Sequence, residues 1–255
     1  MKLFSPLITL SVSAMALSIA SHANADTIFG VYAGVGTWQT EYSGDAGKPA
    51  TSADDLGIDK DNNIYYYVAI EHPVPLIPNI KVQYNDITSD QSSTLAKNFS
   101  IGDITFPAGT QVATDFDLSY TDATLYYELL DNWVNLDLGV TLRKYSGYLQ
   151  AGSTVANVKV SEKVDIDATV PLIYGKAQFD LPFTGFSAGF EGNYISYDGN
   201  DLSDYSAKIS YLFDSALDLG VEVGYRVLTI NIDDEDDVNT NLDLKGPYIA
   251  AVFHF

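Results

Sequence analysis

The sequence predicts an all-β fold: a closed antiparallel up-and-down transmembrane β-barrel of about ten strands, with eight and twelve as the alternatives. Three observations predict it. Apolar residues recur with period two in about ten segments, connectors between them alternate between short and long, and Ile249, Ala251, Phe253 and Phe255 share one phase of the last segment. Eighteen Tyr, 12 Phe and 19 Gly against 9 Pro and 2 Met agree, because aromatic and β-branched side chains suit a pleated surface.

The leader comes first. Lys2 precedes an apolar stretch over 7–20, and Ala23-Asn24-Ala25 is an A-x-A cleavage site, so 1–25 reads as a cleaved secretory signal and 26–255 as one barrel domain. No helical span is expected beyond it, since an apolar run such as 64–70 falls far short of the ~20 residues a membrane helix needs.

The expected strands are 27–42, 64–72, 79–88, 112–130, 133–147, 164–181, 186–197, 203–213, 217–231 and 240–255. In the fifth, Val134, Leu136, Leu138, Val140 and Leu142 alternate with Asn135, Asp137, Gly139, Thr141 and Arg143, giving one oily face and one polar face. The ninth repeats this, with Leu219, Val221, Val223 and Tyr225 against Gly220, Glu222, Gly224 and Arg226. The fourth changes phase between Tyr120 and Ala123, which calls for a bulge near Thr121-Asp122 or strand above the membrane. The last has apolar residues on both phases.

Short connectors fall at 72–79, 130–133, 181–186 and 213–217, and long polar ones at 43–63, 89–111, 148–163 and 232–239; only 198–202 is short in the long set. Outer-membrane barrels show this asymmetry between tight periplasmic turns and longer external loops. Pro73, Pro75 and Pro78 force the first turn out of the sheet. A further hairpin is possible around Gly102-Asp103. Trp133 and Phe186 are candidates for the periplasmic aromatic girdle, and Tyr65, Tyr66 and Tyr67 for the outer one.

Four stretches carry a family resemblance: Glu71 through Pro73-Val74-Pro75 to Asn79, Tyr126-Tyr127-Glu128-Leu129-Leu130-Asp131-Asn132-Trp133, Phe179-Asp180-Leu181-Pro182-Phe183-Thr184-Gly185, and Glu191-Gly192-Asn193-Tyr194-Ile195-Ser196-Tyr197-Asp198-Gly199. The chain resembles a family of small outer-membrane β-barrel proteins of marine Gram-negative bacteria over most of its length. That resemblance implies an outer-membrane location and a barrel architecture, and it brings no catalytic residues with it. The terminal phase of Ile249, Ala251, Phe253 and Phe255 likewise resembles the signal read by the barrel-assembly machinery. Membrane lipid and lipopolysaccharide are the other expected partners, and the sequence leaves oligomeric state open.

Composition excludes several functions. A net charge of −21 makes nucleic acid a poor partner, and the lack of cysteine removes disulfides, thiolate metal sites, thiol nucleophiles and a lipoprotein anchor. Of three histidines, His22 lies in the leader, His72 abuts a short turn and His254 is penultimate, so no base is placed at the outer rim. Gly34 and Gly36 alternate within a strand and are not a phosphate loop. Glu71, Glu128, Asp137, Asp180, Glu191 and Glu222 are expected to face Lys81, Arg143, Lys176, Lys208 and Arg226 as a charge network inside the cylinder, rather than to act as a glycosidase pair. No enzyme activity and no tightly held cofactor are expected. Loosely bound Ca²⁺ or Mg²⁺ is conceivable in two acidic loops, Asp54, Asp55, Asp59 and Asp61 in one and Asp233, Asp234, Glu235, Asp236 and Asp237 in the other. The run from Asp59 to Asn63 starts like a calcium loop, but Ile64 stands where the turn wants Gly.

The expected function is therefore a structural or narrow-pore role in the envelope. Surface binding through the acidic loops is the alternative, and a lipid-modifying enzyme comes third.

Overall fold

The structure is a computed structural model that describes residues 30–46, 50–155, 158–213, 218–232 and 240–254. The strands in chain order are β1 (Gly30–Ala46), β2 (Thr51–Ser52), β3 (Lys60–Glu71), β4 (Asn79–Asp86), β5 (Thr88–Thr94), β6 (Phe99–Ile101), β7 (Ile104–Phe106), β8 (Gln111–Asp117), β9 (Tyr120–Leu130), β10 (Val134–Val155), β11 (Val158–Asp180), β12 (Phe186–Tyr197), β13 (Asn200–Phe213), β14 (Asp218–Ile232) and β15 (Thr240–His254). Ten of them pair antiparallel in the ring β1-β3-β4-β9-β10-β11-β12-β13-β14-β15, and β15 returns to β1 through pairs such as Val35↔Ala251. The sheet is closed, so the ring itself has no edge along its paired length.

Side-chain alternation decides which face is which. On β3 Ile64, Tyr66, Val68 and Ile70 are exposed, while Tyr65, Ala69 and Glu71 are buried. On β10 Leu138, Val140 and Leu142 are exposed and Asp137, Thr141 and Arg143 are buried. The fold is thus inside out relative to a water-soluble domain: oil outside, charge inside. The outward phases of 31–37, 64–70, 80–84, 123–129, 134–142, 171–179, 186–194, 205–213, 219–227 and 247–253 carry no Asp, Glu, Lys or Arg. On β10 this band runs from Val134 to Leu142, which at ~3.3 Å per residue and a ~40° tilt is roughly 20 Å tall.

The two rims differ. At the short-turn rim, Leu76 (φ 71°) and Phe183 (φ 66°) adopt left-handed backbone, and Trp133 packs edge-on against Phe179 with ring centroids 5.4 Å apart. Trp133 and Phe186 face outward here, as a girdle requires. Of the three tyrosines expected in the outer girdle, only Tyr66 faces outward; Tyr65 and Tyr67 point into the lumen, because adjacent residues on a strand must take opposite faces.

At the other rim several expectations are corrected. The expected loop over 148–163 is strand at 148–155 and 158–163: β10 and β11 pair without interruption from Val134↔Phe179 to Val155↔Val158. On the inward phase Leu149, Ala151, Val160, Val164 and Ile166 pack on a core above the band. The expected single strand over 112–130 is two, broken at Leu118-Ser119: the change of phase comes not from a bulge at Thr121-Asp122 but from the other expected cause, strand above the band, since β8 belongs to a sheet past it. A register shift does occur, but between Leu136 and Asp137 on β10. Gly102 (φ 52°) turns the β6–β7 hairpin, which forms its own two-stranded sheet and leaves the ring at ten. The connector expected at 198–202 is a two-residue turn, with Asp198 (φ 51°) and Gly199 (φ 81°) both left-handed between the pair Tyr197↔Asn200. That is the type I′ geometry for which Asp-Gly is suited.

β5, β8, β10 and β11 together extend the wall past the band as a four-stranded platform. Its inner face, the segment around the 3-10 turn Asp54–Leu56 and the β6–β7 hairpin enclose Leu56, Ile58, Ile87, Leu95, Phe99, Phe106, Val112 and Phe116. This core continues downward into Trp38, Tyr42, Leu228 and Leu244 on the inward phase of the ring. The last strand is apolar on both phases for that reason. Ile249 and Phe253 face outward, while Leu244 packs the cap core.

The expected leader over 1–25, the loop residues Asp233, Asp234, Glu235, Asp236 and Asp237, and the terminal Phe255 lie outside the described residues.

Candidate functional site

The lumen is where polar chemistry concentrates, and it falls into two storeys. Below the cap lies a layer of fully packed charge. Arg143 on β10 donates from Nε and Nη2 to the two carboxylate oxygens of Asp122 at 2.8 and 2.7 Å, and its Nη2 also reaches Asp204 Oδ2 at 2.6 Å. Arg226 on β14 donates to Asp204 Oδ1 and Oδ2 at 2.8 and 2.7 Å and to Asn85 Oδ1 at 2.7 Å. The Tyr120 hydroxyl donates to Asp204 at 3.0 Å. Both guanidiniums also lie over aromatic rings, Arg143 3.8 Å from the Tyr120 centroid and Arg226 4.8 Å from that of Trp38. The planar forks suit such bidentate, stacked sites better than a lysine ammonium would.

The lower storey is looser. Lys208 pairs with Glu222 at 2.8 Å, Lys176 with Asp137 at 3.0 Å, and Lys81 with Glu191. The Tyr248 hydroxyl donates to Glu222 at 2.8 Å and that of Tyr126 to Glu71 at 2.7 Å. A cavity of about 200 Å³ runs among these groups to the short-turn rim, where Glu128, Asp131, Asn135 and His254 line it. Upward it meets Asp122, Asp204 and Arg226. It is a vestibule with an apolar core above its ceiling.

The expected network is therefore present with changes in membership. Lys81, Glu191, Asp137, Lys176, Lys208, Glu222, Arg143 and Arg226 all take part in ion pairs. Three acids are held by neutral donors instead: Glu71 by Tyr126, Glu128 by Asn79 at 3.1 Å, and Asp180 by Asn135 and Gln178 at 2.8 and 2.9 Å. They sit at the rim end of the lumen, below the lysines. Asp122 and Asp204, which hold both arginines, were not among the expected residues. Their signal was present: each occupies the inward phase of its strand, opposite Arg143 on β10 and Leu228 on β14 respectively.

Glycines make room for the aromatic lining. A Cβ on Gly34 would lie 2.4 Å from the ring of Tyr67, and one on Gly36 2.7 Å from that of Tyr65, because those rings lie across the facing strand. The glycines of β1 thus serve packing, as their alternation implied.

The acidic stretch 54–61 is spread over a 3-10 turn and the start of a strand. Asp54 and Asp55 form the 3-10 turn, Asp55 pairs with Lys97 at 3.8 Å, and Asp61 lies in the paired part of β3, opposite Thr40. An extended strand sends Asp61 and Asn62 to opposite faces, so they cannot wrap a cation together. Among the described residues no three Asp, Glu or His groups converge as metal ligands. Nearby, burial pushes the phenol of Tyr42 up to about 12, while Asn63 donates to its oxygen at 2.8 Å.

His72 and His254 stay at the short-turn rim. His72 Nδ1 accepts from the Val74 amide at 3.3 Å, and His254 stacks on Tyr32 with centroids 4.2 Å apart.

No protein-family model and no curated protein matches the chain. Among solved structures, it is similar to Ail, the attachment invasion locus protein of Yersinia pestis, at 10% identity and a TM-score of 0.35, covering 89% of this chain and 98% of that one. It is also similar to the transport unit of the autotransporter AIDA-I from Escherichia coli, at 8% identity and a TM-score of 0.39, covering 96% and 93%. Neisserial surface protein A matches at 12% identity and a TM-score of 0.30, covering 86% and 95%.

Proposed function

We propose that this chain is an integral outer-membrane barrel of a Gram-negative bacterium with a structural, non-enzymatic role: a closed wall that holds a rigid β-platform outside the membrane. In this reading the short-turn rim faces the periplasm and the platform faces outward. An uncharged band on every ring strand supports the membrane part, since exposed Val140 (59%) and Ile173 (68%) have no place on a water-facing wall of this extent. A closed ring supports it as well, because hydrocarbon tolerates no unpaired backbone.

One observation favours a structural role over a conducting one. Trp38, Leu228 and Leu244 are each 1% exposed or less inside the cylinder, and the cap core around Val112, itself fully buried, closes over them. Water or a solute crossing the barrel would have to displace an apolar core and then a desolvated ion cluster. Planar-bilayer recording of the refolded, heat-modifiable protein tests this. Silence is expected, and reproducible unitary steps would restore the narrow-pore reading.

Surface binding is the second reading, and the platform favours it. Its outward face carries Tyr148, Asp115 and Lys163, joined by a bond from the Tyr148 hydroxyl to Asp115 at 3.2 Å and by Lys163 lying over the Tyr148 ring. Deleting 232–239 while the platform is kept would separate binding by the acidic loop from binding by the sheet.

A further inference from the structure

On its β11 side the platform ends in an open edge, and the sequence of that edge is complementary to itself. β11 pairs with β10 along its whole length, but with β12 only from Asp180↔Ser187 to Ile173↔Tyr194. Pro171, with no N–H to donate, stands where that second ladder would continue. Above it, residues 159–170 leave the backbone groups on one side of β11 without a ladder partner among the described residues. Such an edge is a template for another strand.

Natural edges are commonly guarded by charge. This one carries charge of both signs. Lys159 and Lys163 lie toward the tip and Asp165 and Asp167 toward the membrane, all on the exposed phase, while Val160, Glu162, Val164, Ile166, Ala168 and Val170 are half-buried on the other. In an antiparallel pair of two such edges centred on Val164, Lys163 faces Asp165 in both directions, Ser161 faces Asp167, and Lys159 faces Thr169. Shifting the centre to Lys163 or Asp165 sets a like charge against itself, and a parallel in-register pair sets every charge against its own kind.

We infer that the β11 edge at 159–170 docks the same edge of a second copy, antiparallel about Val164, and that the two copies stand in facing membranes. The second part follows from symmetry. A two-fold that continues a sheet through antiparallel strands is normal to that sheet. The sheet here is barrel wall, so the axis lies parallel to the membrane and turns one membrane to face the other. Copies in one membrane, related by an axis along its normal, bring the edges together only in parallel. At ~3.3 Å per residue and a ~40° tilt, the stretch from Val164 to Leu172 in each copy holds the two lipid surfaces roughly 40 Å apart. This inference rests on the membrane reading above and on the platform facing outward.

The chain has no cysteine, which makes the register directly measurable. Full-length protein is reconstituted in liposomes, and insertion is verified by heat-modifiable migration; failure there would count against the membrane reading itself. Two vesicle populations with different tags are then mixed under mild oxidant. Val164→Cys should give disulfide dimers carrying both tags. Ala168→Cys alone should give none, but should crosslink to Val160→Cys vesicles. Lys163→Asp and Asp165→Lys should each abolish vesicle clustering alone and restore it when mixed with each other. Inserted protein that crosslinks at no position, at all positions equally, or only between tags sharing a vesicle would overturn the proposal. So would charge variants that fail to rescue one another, including the case in which the edge takes up only unrelated peptides.

Discussion

Arg143 and Asp204 meet across the lumen, Nη2 to Oδ2 at 2.6 Å, although they lie on strands separated around the ring by β11 and β12. Asp204 also receives Arg226 at 2.7 Å, so one carboxylate ties three parts of the wall together. Its side chain is 5% exposed. Removing that charge leaves two buried guanidiniums with reduced compensation, and breaking such a pair costs about 3–5 kcal/mol. Asp204→Asn should lower stability by an amount in that range, read as the urea midpoint of unfolding in detergent micelles. A change within experimental error would mean that the layer is solvated and not the closed ceiling described above.

The cap core makes a separate prediction. Leu244 is fully buried and joins the ring to the platform's interior. Leu244→Ala should cost about 2–5 kcal/mol through lost burial and the cavity left behind. The loss should appear first as protease sensitivity in 95–110, since the cap packs against this residue while the lower ring does not depend on it. Uniform loosening of the whole barrel would contradict that division.

Lumen packing can be probed at Gly36. A Cβ there meets the Tyr65 ring and the Ile249 carbonyl at 2.7 and 2.8 Å, and the carbonyl cannot move without disturbing the β1–β15 seam. Gly36→Val should therefore destabilise by about 1–3 kcal/mol, as overpacking of a filled interior does. Thermal loss of the unheated gel band gives the measurement. Trimming Tyr65 to Leu in the same chain should recover part of the loss if the ring is the obstacle.

Period two made most of the ring legible in the sequence. Val134 to Arg143 and Leu219 to Arg226 display their two faces so plainly that wall orientation and most lumen charges could be assigned from them. The platform was not legible for a physical reason. Along 148–163 one phase is polar because it faces water, so the stretch has the composition of a loop although its other phase packs a core. Asp122 was obscured differently. It sits beside the break at Leu118-Ser119, where β9 joins the ring after the chain leaves the cap, so the alternation slips just where the decisive carboxylate lies. The partners of Arg143 and Arg226 come from β9 and β13, and alternation along one strand carries no information about which charges meet across a closed lumen.

The sharpest test of the membrane reading is a substitution that water and lipid would judge oppositely. Leu138 is 48% exposed, and at such a site in a soluble protein Leu→Arg changes stability by little, within about ±0.5 kcal/mol. At the midplane of a lipid-facing wall the same change costs about 2–4 kcal/mol. Leu138 lies midway between Val134 and Leu142 on the uncharged outward phase of β10. Leu138→Arg should thus reduce stability in lipid vesicles by about 2–4 kcal/mol, whereas Lys144→Arg, two positions above Leu142 and paired with Asp167, should be silent. Equal tolerance at both positions would place this wall in water.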